Sequence, residues 1–244
     1  MNLYFLVEGR HTERKVYPKW MSYLLPHFRR VDRCESVDDN SYFLISGEGY
    51  PSLLDNHLEE AITNINNVGR YAYLVLCLDA EELSVTESEK EVLNWMKDKG
   101  CRLENCELRI VVQNRCIESW LLGNRRIVTR APQSKRLAEF IQFYDVKVAD
   151  PETMGRYKGF TTHAQFHGEY LEEVFREKGL AYSHKNPGHA ADESFLNQLL
   201  ARIQDEQKQM ATFRSFVDFC RNIRSRTVRE VPSAPPENRP ASPV

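Results

Sequence analysis

Short apolar runs alternate with amphipathic stretches along the first half of the chain. Residues 3–7, Leu-Tyr-Phe-Leu-Val, form a β-rich apolar run that stops at Glu8-Gly9 and reads as a buried strand. From Thr12 to residue 25, apolar groups at Val16, Trp20, Tyr23 and Leu24 keep helical spacing, with Thr12 as cap, Glu13 in the first turn and Pro26 as terminator. Residues 42–46 form a second strand ending in the Gly47-Glu48-Gly49 turn, and Pro51 suits the first turn of a helix reaching about residue 68. Residues 71–78 are the most apolar run, as expected of a central parallel strand covered on both faces, and they end in Asp79-Ala80-Glu81-Glu82. Residues 87–99 read as a helix with Val92, Leu93 and Met96 inward and Gly100 as its cap, followed by a strand over 107–113 and a short helix over 114–123.

Strands alternating with helices predict an α/β fold: a mostly parallel sheet with right-handed crossovers and flanking helices. After about residue 125 the strand signal fades. Helical patterns follow over 134–144 and 162–178, then a long one from Asp192 to about Arg226. From Val228 to the last residue, 244, five prolines lie in a polar run. That composition reads as a disordered tail. The predicted organisation is an α/β domain over 1–125, a helical extension packed on it over 126–227, and a Pro-rich tail over 228–244.

Composition narrows the class. With 41% hydrophobic and 28% charged residues, the chain is an ordinary soluble globular protein. No apolar run reaches the roughly 20 residues of a membrane span. The absence of a basic, apolar leader and the scattered cysteines point to the cytoplasm. Cys101 and Cys106 lack a second pair at zinc-finger spacing, so structural zinc is not expected. A net charge of −2 excludes a strongly basic non-specific nucleic-acid binder, but leaves room for a local basic patch or a metal-assisted phosphate site. The Arg29, Arg30 and Arg33 cluster reads first as a solvated loop and second as a phosphate contact.

The candidate chemistry lies at the strand ends. Glu8 follows the first strand, and Asp79 and Glu81 follow the third. In a doubly wound sheet such strands can be neighbours, and their carboxyl ends then face one crevice. Carboxylates held within a few ångströms raise one another's pKa, and a divalent cation relieves the repulsion. Hard oxygen donors select Mg²⁺ or Mn²⁺, the equipment of phosphodiester chemistry. Taken alone, Glu8 reads equally well as an incidental residue in a surface turn.

Val7-Glu8-Gly9 after a strand, with Asp79-Ala80-Glu81 after a later central strand, resembles the TOPRIM domain shared by topoisomerases, primases and OLD-type nucleases. The short layout is similar to OLD-like and RloB-like bacterial proteins, many linked to phage defence. Thr12-Glu13, the Glu-Ser-Trp-Leu-Leu segment at 118–122 and the segment from Tyr182 to Lys185 add to the resemblance, which covers residues 1–125 well and the rest loosely. It implies that Glu8 acts in proton transfer or on the metal. Asp79 and Glu81 become ligands, Glu13 serves a second ion, and Lys185 offsets charge on the phosphate. The second motif acid is Glu where the family has Asp, which moves its carboxylate outward by one methylene.

Other residues have two readings. Glu118, just past the fourth strand, reads equally as a site carboxylate and as an ordinary exposed helix residue. Gln113 and Asn114 read as turn formers, Trp120 as core, and His163 with His167 as solvent-facing histidines rather than a zinc pair. Lys185 sits in a loop near His184, His189 and the Asn186-Pro187-Gly188 turn, where a solvated lysine competes with a phosphate contact. The favoured function is metal-dependent cleavage of DNA or RNA in bacterial anti-phage defence, with a non-catalytic TOPRIM-like subunit that docks a partner such as an ATPase as the alternative. A receiver-like phosphotransfer domain ranks lower, because only Glu8 ends the first strand. Membrane contact is not expected, and self-association stays open.

Overall fold

The computed structural model describes residues 1–229. Five strands, β1 (Asn2–Val7), β2 (Arg29–Val31), β3 (Ser41–Ser46), β4 (Tyr73–Asp79) and β5 (Glu107–Gln113), form one sheet in the order β2-β3-β1-β4-β5. Every pairing is parallel. Alternate side chains of the central strands fill two separate apolar layers. Leu3, Phe5, Val7, Val75 and Cys77 face one layer, and Tyr4, Leu6, Leu74 and Leu76 face the other. Burial on both faces is why these strands read as continuous apolar runs.

Helix α1 (Thr12–Leu24) covers the first face, and α2 (Glu59–Val68) with α3 (Val85–Asp98) covers the second. Because β3 returns to β4 past β1, the chain leaves β1 and β4 on opposite sides of the sheet. Open α/β folds place their ligand crevice outside such strand ends. The remaining helices are α4 (Ile117–Leu121), α5 (Lys135–Phe143), α6 (His163–Glu177), α7 (Glu193–Asp205) and α8 (Ala211–Arg229). They share the α1 face, where Trp120 and Phe213 join the same buried cluster as Phe5. Edge-to-face contacts of Phe213 with Trp20 and Trp120 tie the helical half to the sheet half.

Several expectations change. Arg29 and Arg30 belong to β2 rather than to a loop, because β3 supplies a parallel partner for three residues that have no strand pattern of their own. Leu93 is 53% exposed, while Val92 is buried and Trp95 and Met96 pack at its side. The long C-terminal pattern is two helices. Arg202 is drawn inward, donating to the carbonyls of Gly123, Val146 and Ala149, and the chain turns at Met210 with φ 52°. Met210 and Phe213 keep the apolar spacing across that break, which hides it from periodicity. Helix α8 runs to Arg229, past the expected start of the tail, and the tail from 230 onward lies outside the described residues. No helix among the described residues is long and apolar enough to cross a membrane.

Candidate functional site

Parallel register brings the acids together. Val7 of β1 lies beside Cys77 of β4, so the chain following each strand emerges at the same edge. The Glu8 backbone N–H donates to the Cys77 carbonyl (2.9 Å), and the Asp79 N–H donates to Glu8 Oε2 (3.0 Å). Gly9 then lets Glu13 fold back over the turn, since a Cβ there would fall 1.7 Å from Glu13 Oε2. Thr12 is not the expected cap but the first helical residue, and its hydroxyl donates to the His184 carbonyl (2.8 Å). Glu81 adopts the left-handed region (φ 50°), held by its N–H to the Arg115 carbonyl (2.8 Å) and by the Arg115 guanidinium on its own carbonyl (3.2 Å). A non-glycine residue in that conformation persists only where its surroundings hold it.

Glu13, Asp79, Glu81 and Glu118 line one cavity of about 230 Å³, together with Arg10, His11 and His184. Glu8 is not part of this lining and is buried, 8% exposed. Burial first, and then the charges of Glu8, Glu13, Glu118 and Glu81, hold the Asp79 carboxyl well above its usual range. Burial and the Glu118 charge push Glu13 up to about 7, and burial with the Glu8 charge pushes Glu81 up to about 7. Burial also raises Glu8, against the pull of the Asp79 N–H. Asp79 Oδ1 is buried and has no hydrogen-bond partner.

Glu118 is different. Its Oε1 accepts from His184 Nδ1 (3.0 Å) and from the Tyr182 hydroxyl (2.8 Å). Burial would raise its pKa, but these donors and the His184 charge outweigh it and hold the carboxyl below its usual value. The same bond raises His184 to about 8. Glu118 is therefore a buried site residue, not an exposed one, and its carboxylate is already engaged. Lys185 is exposed and outside the cavity lining, and its backbone carbonyl accepts from Lys15 Nζ (2.6 Å). A tight turn between Ser183 and Asn186 sends the two neighbours to different places, His184 toward Glu118 and Gly168, and Lys185 to solvent. His184 is the residue that sequence reasoning missed. Its signal is a helix face of small residues, Ala164 and Gly168 four apart, against which an imidazole can lie.

Glu82 is committed elsewhere, accepting from the His163 backbone N–H and ring (both 2.7 Å). His167 is fully buried rather than solvent-facing, between the Ser119 hydroxyl (2.8 Å) and the Met154 carbonyl (3.2 Å). Burial lowers it to about 4, so it is a neutral structural group. Gln113 ends β5, fully buried, and donates to the Tyr17 hydroxyl (3.0 Å) instead of forming a turn. Asn114 donates to the Glu152 carbonyl (3.0 Å), and Trp120 is core.

The donor set suits a hard divalent ion: carboxylate oxygens that repel one another, one of them buried without a partner. Of the cavity carboxylates, Asp79, Glu81 and Glu13 are the ones that could hold such an ion, Glu118 being engaged by His184 and Tyr182. As the side chains stand, no group of three or more His, Cys, Asp or Glu among the described residues is placed to hold a metal ion. Compared with protein families, curated proteins and solved structures, the chain shows no significant match. The resemblance to TOPRIM domains thus rests on the sequence motifs alone, at 7–9, 12–13, 79–81, 118–122 and 182–185, and what the site can do rests on its geometry.

Proposed function

We propose that this protein is a metal-dependent phosphodiesterase acting on nucleic acid at the cavity between the β1 and β4 ends. The observation that carries the reading is the convergence of Glu13, Asp79 and Glu81 on one cavity, with Asp79 Oδ1 buried and unpartnered. Bound there by these three carboxylates, Mg²⁺ or Mn²⁺ supplies charge neutralisation and Lewis acidity. Glu8, oriented by the Asp79 N–H, is the proton acceptor for an attacking water, since burial already makes its carboxylate more basic. His184, made a better cation by Glu118, offsets negative charge on the phosphate in place of the expected Lys185. Incubation of the full chain with plasmid, linear DNA and RNA in Mg²⁺ and in Mn²⁺, against EDTA, tests this. Metal-dependent cleavage of any substrate is the expected result.

A second reading is favoured by one observation: as they stand, no group of three or more His, Cys, Asp or Glu among the described residues is placed to hold a metal ion. It makes the protein a non-catalytic subunit for a partner such as an ATPase. Absence of cleavage with every substrate and metal, and with the natural partner present, decides for it.

A further inference from the structure

Every exposed side chain from Arg10 to Lys19 is basic or an imidazole: Arg10, His11, Arg14, Lys15 and Lys19. The acid of that segment, Glu13, is buried. Such segregation stands out in a chain whose net charge is −2. The row starts at the acid cavity, which Arg10 and His11 help to line. His11, Lys15 and Lys19 then follow at four-residue intervals along one stripe of α1, and Arg14, three residues after His11, flanks that stripe. The bond from Lys15 Nζ to the Lys185 carbonyl (2.6 Å) sets exposed Lys185 alongside the row. Two acids touch the row, Glu48 at 3.7 Å from Arg10 and Asp192 at 3.8 Å from Lys19, and both pairs are solvent-exposed. Exposed pairs of this kind are weak and readily exchanged for a phosphate. Arg14 is in no ion pair among the described residues.

We propose that this ridge is a track for the phosphate backbone of a nucleic-acid strand. Arg14, Lys15, Lys19 and Lys185 hold phosphates that flank the diester delivered to the cavity. A single anion needs one such group, whereas a row of them fits a polyanion, whose binding releases counterions. The identity of the polyanion rests on the phosphodiesterase reading, because the row ends at carboxylates suited to a divalent ion and a phosphate. The ridge positions and does no chemistry.

The test is fluorescence anisotropy of labelled single-stranded DNA, single-stranded RNA and duplex DNA with the full chain in EDTA, so that binding is read without cleavage. The variants are Arg14→Gln/Lys15→Gln/Lys19→Gln and the single Arg14→Glu, which keeps the Lys15 bond. The control is Lys90→Gln/Lys97→Gln/Arg102→Gln, which removes the same charge from exposed positions on and just beyond α3. For whichever nucleic acid the wild type binds, the ridge triple variant is expected to bind about tenfold or more weakly, and the slope of log K against log salt to fall by about 2. Arg14→Glu is expected to show a smaller loss in the same direction, and the control to match wild type. The proposal is overturned if wild type binds none of the three, if ridge and control variants behave alike, or if anionic lipid vesicles bind wild type more tightly than every nucleic acid. Wild-type cleavage with unaltered binding by the ridge variants removes the ridge and leaves the enzyme. Weakened binding by the ridge variants with no cleavage by wild type removes the enzyme and leaves the ridge.

Discussion

The start of α8 and the ends of β1 and β4 both bury carboxylates, and they do so for opposite reasons. At the start of α8, Glu152 accepts from the Thr212 N–H (3.0 Å), the Thr212 hydroxyl (2.8 Å) and the Phe213 N–H (3.0 Å), while both Asp150 oxygens accept from the Met210 N–H (3.1 Å). These acids satisfy the free N–H groups of a helix N-terminus and complement its dipole. At the β1 and β4 ends, Asp79 has an unpartnered oxygen, and what faces it is other carboxylates. Burial pushes Glu152 up to about 7, as it does Glu13 and Glu81. A raised pKa therefore does not separate the two places. The donors around them do: the α8 acids are satisfied by the helix they cap, whereas Asp79 keeps a buried oxygen without a partner.

The largest effect expected of this contrast is on catalysis. Asp79→Asn keeps the volume and removes one negative charge, so metal-dependent cleavage should fall by at least about 100-fold with the fold retained. A mutant that cleaves as fast as wild type shows that Asp79 is not a ligand. Glu152 should respond in the opposite currency, stability. Glu152→Ala strands three donors at the α8 start and should lower unfolding free energy by about 2–4 kcal/mol. In EDTA, Asp79→Asn should instead raise the melting temperature, because it relieves repulsion. Shifts of the same sign in the two mutants would show that the two sets of acids play the same structural part.

A smaller effect is expected from pH. Glu13 and Glu81, raised from 4.5 to about 7, bind protons more tightly folded than unfolded, so stability falls as pH rises through that window. Glu152 has the same sign. His184, raised from 6.5 to about 8, contributes fully below 6.5 and loses that contribution as pH rises to 8. His167, lowered from 6.5 to about 4, opposes them as pH drops below 6.5. In EDTA the melting temperature should thus be higher at pH 6 than at pH 8. Mn²⁺ should narrow the gap by stabilising the ionised acids. A profile that rises from pH 6 to pH 8 would contradict the assignment. The smallest effect is expected of Gly9→Ala, whose methyl displaces the Glu13 carboxylate, the far end of a flexible side chain. Stability should change by less than about 1 kcal/mol, yet the Mn²⁺-induced rise in melting temperature should shrink. An unchanged rise would take Glu13 out of the ligand set.

The parts of this protein legible in its sequence are those whose signal is local. Leu3, Phe5, Val75 and Leu76 announce strands because both faces of each strand are covered. Glu8 and Asp79 announce strand ends because a carboxylate cannot continue such a run. Other features were hidden because their causes lie far along the chain. Arg29 and Arg30 are strand residues only through β3, and the α7–α8 break depends on Asp150 and Arg202. The reading of Lys185 as a phosphate contact rests on the family resemblance and on its place before the C-terminal helical pattern. The choice between it and His184 depends on Gly168 and Glu118, which the turn meets only in space.

The sequence by itself determined the α/β class, most of the helices and strands, and the acids that end β1 and β4, since periodicity and charge are properties of neighbours along the chain. Tertiary structure alone decided which acids lack partners. Glu82, Glu118 and Glu152 find donors in His163, in His184 and Tyr182, and in Thr212 and Phe213, all distant in sequence. Asp79, by contrast, keeps a buried oxygen without a partner, and parallel register and a glycine without a side chain bring it the charges of Glu8 and Glu13 instead. A carboxylate's chemistry is set by what surrounds it within a few ångströms, and in a parallel sheet with helical crossovers those surroundings are assembled from residues far apart in the chain.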